Sequence, residues 1–290
     1  MTKSMWTYIL VSFGFSWAVA GVIFASGGLG GVFAGLWLLL FMCGPMVGGL
    51  VCAFVFDRGR VVEVLGLKPR WTWWLLIAWG IGVVLVLGAT VLSVFLGPGV
   101  EWADPNAQLA NLVEAAGQDR ALVESVPYIG WIQIGSALLL APLINGVLTL
   151  SEELGWRGWL YDADRASGFW PHSLKVGLLW GVWHAPVIAM GHNYPELPAM
   201  VGIGMFTLWC VMVTPLFTLI RDRSGSVWGA SILHGTINGM AGAGLLLQSS
   251  FDWPWKGAVG VGGLMMLGII LVWVVWEQGR KPLSRAVQRG

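Results

Sequence analysis

The sequence predicts an all-α, polytopic membrane protein of about eight transmembrane helices. Of its 290 residues, 57% are hydrophobic and only 11% are charged, whereas ordinary soluble domains carry roughly 25% charged residues. The apolar residues gather into runs long enough to cross a bilayer core, which takes about 20 residues of helix. The net charge of +1 gives no sign of the basic footprint that a nucleic-acid partner would need, and that class is set aside.

The first run, Met5 to Ala25, follows Lys3 and contains the triplet Ala18-Val19-Ala20, features shared with a secretory signal. It outlasts the apolar core of such a signal and is read as helix one. A glycine-rich connector, Gly27 to Gly31, leads to the second run, Val32 to Phe56. That run carries Gly44-Pro45 and Gly48-Gly49, breakers that a membrane helix tolerates when its neighbours satisfy the backbone. The third, Trp73 to Phe95, opens beside Trp71, Trp73 and Trp74, amphipathic rings suited to the headgroup level. An acidic segment from Gly97 to Val126 follows, with Glu101, Asp104, Glu114, Asp119 and Glu124. The remaining runs are Tyr128 to Leu150, Lys175 to Met190, Ala199 to Ile220, Val227 to Gln248 and Gly257 to Trp276. Cys43, Cys52 and Cys210 lie inside apolar runs, without the paired loop spacing of a disulfide framework or a zinc ribbon.

Short cytoplasmic loops carry an excess of Lys and Arg. With eight spans, one side holds Lys3, Arg58, Arg60, Lys68, Arg70, Arg165, Lys175, Arg221, Arg223, Arg280, Lys281, Arg285 and Arg289, and the other only Arg120 and Lys256. Both termini are therefore expected in the cytoplasm, and the acidic segment outside.

Ionisable side chains at membrane depth are costly and mark function. Only three runs carry conspicuous ones, as Glu152, Glu153 and Arg157, as His184, and as His234 with Asn238. Ser151 to Arg157 continues the fourth run, so this cluster sits at the cytoplasmic end of a helix. Glu153 and Arg157, four apart, share a face and can pair, while Glu152 points roughly 100° away. Trp180 and His184 are likewise one turn apart, as are His234 and Asn238. His184 and His234 lie about ten and seven residues from their cytoplasmic ends, roughly 15 Å and 10 Å at 1.5 Å per residue, so one site can contain all three clusters. His172 and His192 are placed in loops on opposite sides of the membrane and read as bystanders.

In this order the motifs resemble the CAAX prenyl protease and bacteriocin-processing (CPBP, or Abi) family of intramembrane proteases. Its pattern is Glu-Glu-x-x-x-Arg, then Phe-x-x-x-His, then His-x-x-x-Asn or Asp. Glu152, Glu153 and Arg157 match the first motif, His184 the second, and His234 with Asn238 the third. Trp180 stands where the family usually has phenylalanine, which bears on the shape of the substrate pocket. The resemblance spans roughly Tyr128 to Gln248. It implies a division into residues 1–126 (three membrane helices and the external loop), 127–250 (the protease core) and 251–290 (the last membrane helix and a basic cytoplasmic tail).

The resemblance further implies an intramembrane endopeptidase acting on a membrane-associated protein or peptide, such as a prenylated CAAX-type substrate, in a bacterial or archaeal cell membrane. Glu152 would be the general base, His184 would help hold the water, Arg157 would hold Glu153, and His234 with Asn238 would stabilise the oxyanion. No cofactor is favoured. The family is often labelled metalloprotease, and Glu152, His184 and His234 could form a zinc site, but no His-Glu-x-x-His helix occurs. Two other classes compete: a catalytically silent scaffold or bacteriocin-immunity protein, and a proton-coupled transporter. Against the transporter, no matching pair of interrupted helices recurs in two halves.

Overall fold

In a bilayer every backbone N–H and C=O must be satisfied internally, and the chain meets this with helices: it is 79% helical, with no sheet among the described residues. A computed structural model describes residues 2–282; Arg285 and Arg289 of the basic tail lie outside the described residues. The elements that matter are α1 (Lys3–Ala25), α2 (Ala34–Met42), α3 (Gly44–Phe56), α4 (Trp73–Leu96), α5 (Pro105–Ala115) and α6 (Ile129–Glu153). A π-helix (Leu154–Trp159) continues α6 into α7 (Leu160–Asp164), followed by α8 (Phe169–Trp183), α9 (Ala185–Ala189), α10 (Ala199–Ser224), α11 (Val227–Leu247) and α12 (Val261–Arg280).

Among the described residues, seven helices are long and apolar enough to cross a membrane, and the chain is an integral membrane protein. The seven include α2 and α3, joined as Ala34–Phe56, and the 39-residue stretch Ile129–Ser167 that α6 begins. The difference from the eight apolar runs lies in the fifth. There α8 ends after 15 residues at His184, and α9 adds only five. Pro186 explains the break, because proline has no N–H to donate and its ring crowds the carbonyl four residues back.

The chain forms two compact units, one of Met1–Leu76, Val147–Ser231 and Leu271–Gly290, the other of Ile77–Gly146 and Ile232–Ile270. In the first, the Ser16 hydroxyl of α1 donates to the Phe41 carbonyl at 2.7 Å. Helices α8 and α10 meet backbone to backbone: a Cβ added at Gly181 would lie 2.5 Å from Thr207 Cα, and one at Gly177 2.7 Å from Val211 Cα. The end of α12 is tied down where Arg223 Nη2 donates to the Glu277 carbonyl at 3.1 Å.

In the second unit the acidic segment is structured. Asp104 caps α5 by accepting from the N–H groups of Asn106 and Ala107 at 3.1 and 3.0 Å. Arg120 gathers Glu124, Asn111 and Glu114 at 2.6, 3.0 and 3.3 Å. The Trp79 indole donates to the Leu138 carbonyl at 2.9 Å, holding α4 to α6.

Candidate active site

Glu152 and Glu153 are the last two residues of α6, and the six residues after them are a π-helix. Such turns are rare and occur frequently at functional sites. Here the widened turn accompanies backbone contacts that only glycine permits. The Gly155 Cα hydrogen faces the Pro45 carbonyl of α3, and a Cβ at Gly158 would lie 2.8 Å from the Leu65 carbonyl oxygen. The Arg157 carbonyl of this segment accepts from Arg221 Nε at 2.7 Å.

Arg157 is buried, 1% exposed, and its Nη1 donates to Glu153 Oε1 at 3.0 Å. The pairing read from the spacing thus forms, although the helix is π rather than α at this point. The guanidinium also lies against two rings, 4.5 Å from the Trp180 centroid and 4.2 Å from that of Phe217. Such contacts contribute about 2 kcal/mol or more when desolvated. Glu152, 3% exposed, accepts through Oε2 from the Trp180 indole N–H at 2.8 Å.

Trp180 reaches Glu152 from α8, and its own carbonyl is 2.8 Å from His184 Nδ1. A carbonyl can only accept, so Nδ1 carries the hydrogen, and the neutral ring has its lone pair on Nε2. His184 occupies the break between α8 and α9, not the middle of a continuous helix. Its ring is packed edge to face with Trp183 and Phe206, each 4.6 Å away between centroids. The Trp183 carbonyl, at the same break, accepts the Trp17 indole N–H of α1 at 3.1 Å.

The first unit therefore brings together Glu152, Glu153, Arg157, Trp180 and His184. His234 and Asn238 belong to the second unit, on α11. His234 is buried and Asn238 is exposed. Between them, Gly235 packs directly on the Asn145–Gly146 backbone of α6. His172 is not in a loop. It lies in the first turn of α8, 2% exposed, with Nδ1 3.1 Å from Asp164 Oδ2. Asp164 also accepts from Lys175 Nζ at 2.6 Å and from the Ser167 hydroxyl at 3.2 Å.

For a metal, the first unit offers an imidazole whose Nε2 has the lone pair and a carboxylate already engaged by an indole. Among the described residues no three His, Cys, Asp or Glu side chains gather as metal ligands.

Trp17, Phe206 and Arg221 were not marked by any motif. Arg221 counted only among the basic flank residues, yet it is 8% exposed and bonded to the π-helix. Its position at the end of an apolar run was the one available signal.

Comparison with known families finds that residues 131–240 match the model of the Rce1-like family, described as type II CAAX prenyl endopeptidase Rce1-like. This is a CPBP family, and at that level the match is to CAAX-type intramembrane proteases. All seven candidate residues, Glu152 to Asn238, fall inside the matched segment. No curated protein matches the chain.

Proposed function

We propose that this chain, Rce1-like over residues 131–240, is an intramembrane endopeptidase that cleaves a membrane-associated protein or peptide. The observation that carries the reading is the buried junction at Trp180, whose indole binds Glu152 and whose carbonyl anchors His184, each at 2.8 Å. Glu152, Glu153 and Arg157 are all buried, and ionisable groups at membrane depth are retained for function.

In this reading Glu152 takes a proton from a water held with the help of His184, and the water oxygen bonds to the scissile carbonyl carbon. As the tetrahedral centre collapses, the C–N bond breaks and the leaving nitrogen takes that proton from Glu152. Glu153, paired with Arg157 at 3.0 Å, fixes the end of α6 beside the base. His234 and Asn238 are assigned to the developing oxyanion by their match to the third motif of the family; loss of such a donor costs about 100-fold or more in rate. No step is assigned to a metal. The substrate class follows the matched family, and a prenylated CAAX-type peptide is the first to test.

The basic residues support the orientation. If α8 and α9 together make an interrupted crossing, the seven long helices become eight spans, and Lys3 and Lys281 fall on the basic, cytoplasmic side.

The test compares wild type with E152Q in detergent, on lipidated and unlipidated membrane peptides, with and without a chelator. The expected result is cleavage by wild type that is lost in E152Q and survives chelation. Equal cleavage by both proteins would refute the assigned base. Loss on chelation with recovery on added zinc would transfer water activation to a metal. No cleavage by either would favour a scaffold.

A further inference from the structure

We propose that Trp180 is a positioning residue that orients the base and the histidine together, through its indole N–H and its backbone carbonyl; this rests on the reading of Glu152 as the base. A ring at this place has a packing role that phenylalanine, the usual residue of the family, would fill: it lies 4.5 Å from the Arg157 guanidinium and edge to face with Phe217 at 5.5 Å. The indole adds something a phenyl ring lacks, an N–H directed at Glu152 Oε2 at 2.8 Å.

The consequence is orientational. The terminal torsion of a glutamate is a broad, roughly two-fold rotor, so a carboxylate without a fixed partner presents either oxygen in many directions. Trp180 is itself immobilised, 2% exposed and walled by Arg157, Phe217 and Trp209, the last 6.1 Å away between ring centroids. A donor held in this way assigns Oε2 to the indole and orients the other oxygen. The same residue fixes the His184 tautomer through its carbonyl at 2.8 Å, the arrangement by which an outer partner sets which imidazole nitrogen faces the chemistry. One residue thus sets the register between two groups that come from different helices.

The experiment uses the full-length protein in detergent. In 15N-labelled samples the Trp180 indole resonance is identified as the one absent from W180F, or from W180Y should W180F not fold. It is expected to move in E152Q more than any other indole resonance. In cleavage assays W180F, which keeps an aromatic ring and deletes the donor, is expected to lower kcat by about ten- to a hundredfold with KM unchanged, the range of a hydrogen bond to a charged group expressed in the transition state. An indole resonance indifferent to E152Q, or a W180F protein with wild-type kcat, would overturn the role of Trp180 while leaving Glu152 as base. Undiminished cleavage by E152Q would overturn the base assignment itself, and the role of Trp180 with it.

Discussion

Replacing Arg157 by methionine probes the most demanding interaction in the first unit. The shorter, unbranched side chain keeps the apolar contacts of the stem, but Glu153, 0% exposed, loses the guanidinium 3.0 Å away. The Trp180 and Phe217 rings also lose the cation 4.5 and 4.2 Å from their centroids. Breaking a buried pair from one side costs about 3–5 kcal/mol, because the remaining charge is stranded. At about 2–4 °C per kcal/mol for chains of 150–250 residues, the melting temperature should fall by roughly 6–20 °C. Removing both charges in E153L/R157M should recover most of that loss, since apolar replacement of a buried ion pair is often neutral or better. A thiol-reactive dye reads the transition above the signal of the half-buried Cys43: Cys52 and Cys210 are both 0% exposed and become reactive only on unfolding. Independent sites add to within about 0.5 kcal/mol. If the double variant loses the sum of the two single losses, the pair is not coupled and the reasoning fails.

Three further outcomes are expected. Gly181→Ala should lower the melting temperature by an overpacking cost of about 1–3 kcal/mol and reduce cleavage, because its Cβ would lie 2.5 Å from Thr207 Cα and push α8 off α10; Gly204→Ala, with nothing within 4 Å, should do neither. Trp17→Phe removes the donor to the Trp183 carbonyl at 3.1 Å and should cost about 0.5–1.5 kcal/mol in thermal unfolding. His172→Ala strips one partner from the buried Asp164 and should destabilise by about 1–3 kcal/mol while leaving kcat unchanged, which would separate this cluster from the active site in a combined melting and cleavage assay.

Much of the architecture was legible because membrane solvation acts on each segment separately. A run such as Trp73 to Phe95 must be helical whatever its neighbours do, and α4 spans Trp73–Leu96. The same locality made the Glu153–Arg157 pair readable, since residues four apart on one helix meet without help from any other element. The rarity of charge in apolar runs singled out Glu152, His184 and His234. The interruption at His184 had its signal two residues on, in Pro186, but hydropathy averages over such a break.

What only the tertiary structure decided lies between helices. The π-turn that follows α6 comes with Pro45 and Leu65 packing against Gly155 and Gly158, contacts with no local signature. That Trp180 donates to Glu152 joins residues 28 apart in the chain, and the aromatic motif position suggested only a role in shaping the substrate pocket. His172, read as a surface residue, is buried against Asp164 because the turn after α7 folds it inward. Periodicity and the cost of exposing polar backbone to lipid are properties of a segment, so one sequence determines them. A hydrogen bond between helices depends on their spacing, rotation and side-chain rotamers together, and those are set only when the helices pack.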